Sequence, residues 1–186
     1  THVYLIQQHD GIVLRNGIIN VNILPNGKVL NMGSRFVSDL QSRVNASAPS
    51  ITPDAAAQKV ISHFHIPTTT ALQIRQKVSD QHSIFEKEGI ALEPIPVKLV
   101  YELLENKSIR LAWNVNLYEL NAQHWWDVRV DAQTGEILAY DDHVIHCNFG
   151  KPGENCTNEL HSHASKDAGS KNINTTEKPH GVAKTA

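Results

Sequence analysis

No run of the roughly 18 or more apolar residues that a membrane-crossing helix needs occurs in this chain, so a helical membrane span is excluded. Basic residues are not gathered anywhere. With 17 Lys and Arg against 19 Asp and Glu, a formal net charge of -2, the electrostatic footprint of a nucleic-acid or anionic-membrane binder is missing. No histidine is followed by glutamate, which removes the helical zinc-peptidase arrangement of two His four apart with a Glu beside the first. A Gly-x-Ser-x-Gly elbow and a phosphate-binding glycine loop are also absent, and neither cysteine stands in a recognisable nucleophile setting. Acyl and phosphoryl transfer lack their parts, and the chain is expected to be non-catalytic with no cofactor of its own. It begins at Thr1, without Met and already in strand-like sequence, from which we expect that upstream residues were removed or are not included, so that any signal peptide is not visible in this sequence.

What is present is ordinary globular composition, 40% hydrophobic and 19% charged, in 186 residues, enough for one or two small domains. Residues 1–40 read as a strand meander. "HVYLIQQ" leads to Asp10 and Gly11, "GIINVNIL" places Ile19, Val21 and Ile23 on one face, and "PNG" at 25–27 is a hairpin signal. Periodicity fades into small polar residues over 41–52, which is the pattern of a connector. A helix then opens at "ITPDAAAQKVISHFH": Thr52 is suited to the cap, Pro53 to the first helical position and Asp54 to the positive end of the helix dipole. Ala56, Ala57, Val60, Ile61 and Phe64 share a face, and Pro67 marks the end. Residues 68–92 carry no clear pattern. Strands resume with "IPVKLVYELL" and with "IRLAWNVNLYEL", where Leu111, Trp113, Val115 and Leu117 align. In "HWWDVRVDAQTGEILAY" Trp126, Val128 and Val130 alternate with Asp127 and Arg129 before a turn at Asp131, Thr134 and Gly135. The expectation is an α+β protein of two small domains, the meander followed by a helix packed on an antiparallel sheet over 53–146. Residues 147–186, poor in large apolar side chains, read as a Cys- and His-containing loop and a flexible linker.

Three groups of residues are candidates for a site. Cys147 and Cys156 enclose a loop rich in turn formers and can close a disulfide in an oxidising compartment, the alternative being a reduced pair. His143, His146, His161 and His163 add ring nitrogens near those sulfurs and are weak candidates for zinc ligands. Structural zinc sites normally join two short-spaced ligand pairs, and the cysteines here are nine apart. Trp113 and Trp126 fall in the apolar register of their strands. Trp125 points the other way, either packing under neighbouring chain or anchoring a partner. Four Asn-x-Ser/Thr triplets begin at Asn45, Asn106, Asn155 and Asn174.

The block from "IALEPIPVKLVYELL" to "HWWDVRVDAQTGEILAYDDHV" resembles the PepSY portion of the propeptides of fungalysin-type zinc metallopeptidases, above all in "PVKLVY", "RLAW" and "WDVRVDAQTGEIL". The opening, "THVYLIQQHDGIVLRNGIINVNILPNGKVLNMGSRF", resembles the fungalysin/thermolysin propeptide motif that precedes PepSY in those zymogens. The resemblance implies a secreted pro-region, chaperone and inhibitor of its own metallopeptidase catalytic domain, with zinc belonging to that domain downstream of Ala186. It implies no nucleic-acid or membrane partner. Two other readings stay open: a stand-alone extracellular PepSY-type inhibitory module, and a His/Cys metal-binding protein.

Overall fold

The computed structural model describes residues 1–145. Its elements run β1 (His2–His9), β2 (Ile12–Ile23), β3 (Val29–Ser34), α1 (Leu40–Arg43), α2 (Pro53–His63), β4 (Ile74–Ser79), β5 (His82–Phe85), β6 (Ile95–Leu103), β7 (Ile109–Tyr118), β8 (Trp125–Asp131) and β9 (Ile137–Asp142). None of the helices among the described residues is long and apolar enough to cross a membrane.

The strands belong to one mixed sheet. On one edge β6 pairs antiparallel with β7, and β8 and β9 follow antiparallel. The other edge of β6 is shared. Ile95–Lys98 pair antiparallel with β5, whereas Val100 and Tyr101 pair in parallel with Val13 and Leu14 of β2. Beyond that point β2 leaves β6 and exchanges it for β3, while β1 stays on its far side. The change of partner coincides with a register shift between Ile6 and Gln8 and with a left-handed backbone at Asn16, φ 61, a conformation that Asn tolerates better than most side chains. The meander and the α+β segment, which sequence periodicity separates, thus share one sheet, and Ile12 and Leu14 lie in the same core cluster as the later strands. Pairing between residues so far apart in the chain leaves no mark on local pattern.

Helix α2 forms as its sequence dictates. The Thr52 hydroxyl accepts from the Ala55 amide at 3.4 Å, Pro53 occupies the first turn, and the buried face is Ala56, Ala57, Val60 and Ile61. It lies on the face of the sheet made by Val97 and Leu99 of β6, Trp113 and Val115 of β7, and Val128 and Val130 of β8. The patternless stretch 68–92 contains the β4–β5 hairpin, whose outer strand β4 is exposed along its length. Residues 41–52 are stitched to the sheet: Val44 bridges Ile109, the Tyr101 hydroxyl donates to the Ala46 carbonyl at 3.2 Å, and the Ser50 and Ile51 amides donate to the Ala132 carbonyl at 2.8 and 3.1 Å. These bonds run to distant residues, so the segment reads as a connector in sequence while being firmly held in space.

Candidate docking surface

Two surfaces stand out, and each follows from strand register. The first is the ribbon β1–β2–β3. Pairing of Val3 with Val21, Leu5 with Ile19 and Val21 with Met32 places five apolar side chains on one face. No helix among the described residues covers it: Leu5 and Met32 are exposed, 50% and 62%, while Val3, Ile19 and Val21 are half-buried. The opposite face carries Tyr4, Ile6 and Ile18, also exposed, beside a polar ladder in which His2 meets the Asn22 side chain and Asn22 donates to Asn31. Exposed apolar side chains in this number on one small sheet are the signature of a surface that meets a partner.

The second surface is the sheet face opposite α2. Registers of Asn114 with Arg129, Asn116 with Asp127, and Asp127 with Asp141 bring polar groups from three strands together. Arg15 Nη2 donates to Asp127 Oδ2 at 2.8 Å and to Asp141 Oδ2 at 2.9 Å, and Arg129 Nη1 lies 2.9 Å from Asp141 Oδ2. Arg129 also donates to the Asp127 carbonyl, and Asn114 Nδ2 donates to Asp127 Oδ1 at 2.7 Å. The alternation in "WDVRV" leads one to expect Asp127 and Arg129 in water, but both are buried, Arg129 being only 3% exposed. Their cover is one another: the paired side chains close over the strand without a helix.

Glu102 completes the group and is its least satisfied member. Its Oε1 stands 3.8 Å from Arg129 Nε, while its Oε2, Arg129 Nε and Asn114 Oδ1 are buried without hydrogen bonds. Burial pushes the Glu102 carboxyl above its usual range, only partly countered by Arg129 and Arg15. For Asp141 burial acts the same way, but the attraction of Arg129 and Arg15 outweighs it and holds the carboxyl low. A carboxyl raised in the folded chain withdraws stability as pH climbs from its ordinary value of 4.5 through the folded one. Glu102→Gln is therefore expected to leave the urea midpoint at neutral pH unchanged or higher. A loss of more than about 1 kcal/mol at pH 7 would show that its attraction to Arg129 wins over burial.

At one end of this face stands Trp125, 40% exposed. Its indole N–H donates to Asn116 Oδ1 at 2.7 Å, its ring stacks on Tyr118 with centroids 5.2 Å apart, and His143 meets it edge-on at 5.7 Å. It therefore packs sideways while keeping one face open. Trp126 turns inward, stacked with Phe64 at 4.1 Å and His124 at 4.6 Å, its N–H donating to Glu119 Oε1 at 2.7 Å. Asp142 ties this end together: its Oδ2 lies 2.6 Å from His124 Nδ1, and its Oδ1 accepts from the Trp125 and Val144 amides, both at 2.9 Å. Beside the network, a cleft of about 380 Å³ opens between Arg15, Arg35, Phe36 and Leu103.

Of the candidate metal ligands, His143 sits against Trp125, with Nε2 3.9 Å from Asp127 Oδ2. His146, Cys147, Cys156, His161 and His163 lie outside the described residues, and so do both sulfurs of the expected disulfide. Among the described residues no group of three or more His, Cys, Asp or Glu is arranged to hold a metal ion. The Arg15, Glu102 and Asp141 members of the buried network escape sequence reading. Their one signal is charge inside otherwise apolar strands.

Comparison with known proteins fits these surfaces. Residues 1–36, the ribbon and the loop that closes it, match the fungalysin/thermolysin propeptide motif. The chain is 27% identical over 152 residues to extracellular metalloproteinase mep of Aspergillus niger, an alignment covering 80% of this chain and 24% of that protein. It is 27% identical over 154 residues to extracellular metalloproteinase 10 of Uncinocarpus reesii, covering 80% and 24%. With the mep protein of Aspergillus terreus it shares 31% over 144 residues, covering 74% and 22%. The chain spans about a quarter of the length of these curated relatives. The propeptide motif at residues 1–36, together with kinship to fungal extracellular metalloproteinases over 74–80% of the chain, supports a propeptide region of the fungalysin type.

Proposed function

We propose that this region docks on its own metalloproteinase catalytic domain, holds it inactive and assists its folding, without taking part in catalysis. The observation that carries the reading is a coincidence of position: the propeptide motif, residues 1–36, is also the ribbon on which Tyr4, Leu5, Ile6, Val29, Leu30 and Met32 stand exposed. A free apolar sheet face of this kind is costly in water and gains most by meeting a complementary surface. Residues 53–146 serve as a PepSY-like module that presents the ribbon from one side and Trp125 from the other. The sequence from 147 onward leads toward the maturation cut and the catalytic domain, where the zinc belongs. The relatives are named extracellular, and the chain follows the same secretory route.

While the two parts remain covalently joined, the pro-region acts at a high effective concentration, in the millimolar range for short connections, so modest contacts suffice to close the cleft. Cutting turns this into a bimolecular equilibrium that dilution dissolves. The test adds the isolated chain in trans to mature enzyme and follows casein hydrolysis. Inhibition is expected, weakened about tenfold or more by Met32→Glu, with an unchanged circular dichroism spectrum because Met32 is already exposed. Trp125→Ala tests the other edge in the same assay. No inhibition at any soluble concentration, together with an unchanged refolding yield of the catalytic domain, would remove the proposal's mechanism.

A further inference from the structure

We infer that the tip of the β6–β7 hairpin is an N-glycosylation site, with Asn106 the modified residue and a polyprenyl-pyrophosphate-linked oligosaccharide the donor. It rests on the secretory route proposed above. Four acceptor triplets occur in the sequence, and the structure distinguishes the two that lie among the described residues.

The hairpin turns through Leu104, Glu105, Asn106, Lys107 and Ser108. The Lys107 amide donates to the Leu104 carbonyl at 2.9 Å, the Leu104 amide donates to the Ser108 carbonyl at 2.9 Å, and Lys107 takes the left-handed backbone, φ 67. This is a tight reversal with Asn106 exposed at its apex. The Asn106 side chain folds back on its own triplet. Its Oδ1 accepts from the Ser108 amide at 3.0 Å and from the Ser108 hydroxyl at 2.7 Å, so the hydroxyl that defines the triplet rests on the amide to be modified. Its Nδ2 makes no hydrogen bond among the described residues. Donation to Oδ1 makes the Nδ2 protons more acidic, the direction needed for a nitrogen that must lose one.

In the transfer, Nδ2 forms a bond to C1 of the first sugar. The C1–O bond to the lipid pyrophosphate breaks, its electron pair leaves on that oxygen, and the Nδ2 proton is released. No oxidant or reductant is involved. Asn45 is placed differently: its Oδ1 accepts from the Leu111 amide at 2.7 Å and its own amide donates to the Ile109 carbonyl at 3.3 Å, so it fastens residues 41–52 to β7. No bond joins its amide to the Ser47 hydroxyl. From the tip, β7 runs to Tyr118, the partner of Trp125, about 30 Å away at the rise of an extended strand. A glycan on Asn106 therefore leaves Trp125 uncovered.

The experiment expresses the chain as part of its own precursor in a fungal host. The secreted pro-region is treated with peptide N-glycosidase in heavy-oxygen water and its peptides are sequenced by mass spectrometry. Heavy-oxygen aspartate is expected at position 106, lost in Ser108→Ala and kept in Ser108→Thr, with both variants secreted. A chain found in the medium with Asn106 unmodified overturns the inference and leaves the secretory reading standing. A chain retained inside the cell with every triplet bare overturns both.

Discussion

Trp113→Ala is expected to take away most of the stability of the fold. Trp113 is among the largest fully buried side chains, lying under α2 in the middle of β7, with Leu99 and Val130 as its cross-strand partners. Truncation of such a residue leaves a cavity that its neighbours only partly fill, at a cost of about 3–5 kcal/mol. A second loss follows from its indole N–H, which donates to the Ile51 carbonyl at 2.9 Å and so ties the entry to α2 down onto the sheet. Without that donor the Ile51 carbonyl loses a partner worth about 1 kcal/mol. Against a total stability of about 5–15 kcal/mol, the sum brings the chain close to unfolding at room temperature. Trp113→Phe separates the two terms: it keeps most of the volume, removes the donor, and should cost only about 1–2 kcal/mol. Urea titrations followed by far-ultraviolet circular dichroism read both. An alanine variant within about 1 kcal/mol of the parent would mean that the site collapses around the loss and that Trp113 is not a keystone of the core.

The features that sequence discloses and those it hides divide on physical grounds. Helix α2 was legible because its signals are local: Thr52, Pro53 and Asp54 at the start, and apolar residues returning every three or four positions. β6, β7 and β8 were legible through alternation, and the inward turn of Trp113 follows from it directly. The β4–β5 hairpin was not, because β4 is an exposed edge with no buried face to impose a pattern. The parallel joint of Val13 and Leu14 with Val100 and Tyr101 was hidden for another reason: it is a contact between remote segments, each already satisfied as an apolar strand by its own sequence. The same holds at the candidate surfaces. Trp125 could be singled out, since its parity on β8 is opposite to that of Trp126. The exposure of the ribbon could not, because an apolar alternating strand reads the same whether its face is covered or bare.

The buried charges were the deepest concealed, and they lead to the other large expected effect. Arg129→Met is expected to destabilise the fold by about 3–5 kcal/mol, although it replaces a charged side chain by an apolar one of similar length. Five charged side chains meet on this face, the carboxylates of Glu102, Asp127 and Asp141 and the guanidinium groups of Arg15 and Arg129. With Arg129 gone, Arg15 alone must balance three carboxylates, of which Asp127 and Glu102 are largely withdrawn from water. The loss arises from what is left behind rather than from the strength of any one pair. Two consequences distinguish this account from a simple packing defect. First, the cost should fall in a Glu102→Gln background, by about 1 kcal/mol or more, because one uncompensated charge has been removed. Second, the cost should shrink in acid. The Asp141 carboxyl is held low in the parent by Arg129 and Arg15, so it contributes stability above its ordinary value of 3.8, lost as pH falls through the folded one. Removing Arg129 deletes much of that contribution, and parent and variant should converge once the carboxylates are protonated. Denaturation curves for the four chains of the double-mutant cycle, at neutral and acid pH, supply the comparison. A cost that stays the same at both pH values and in both backgrounds would show that Arg129 matters for its packing alone, and that the charges on this face do not act as one network.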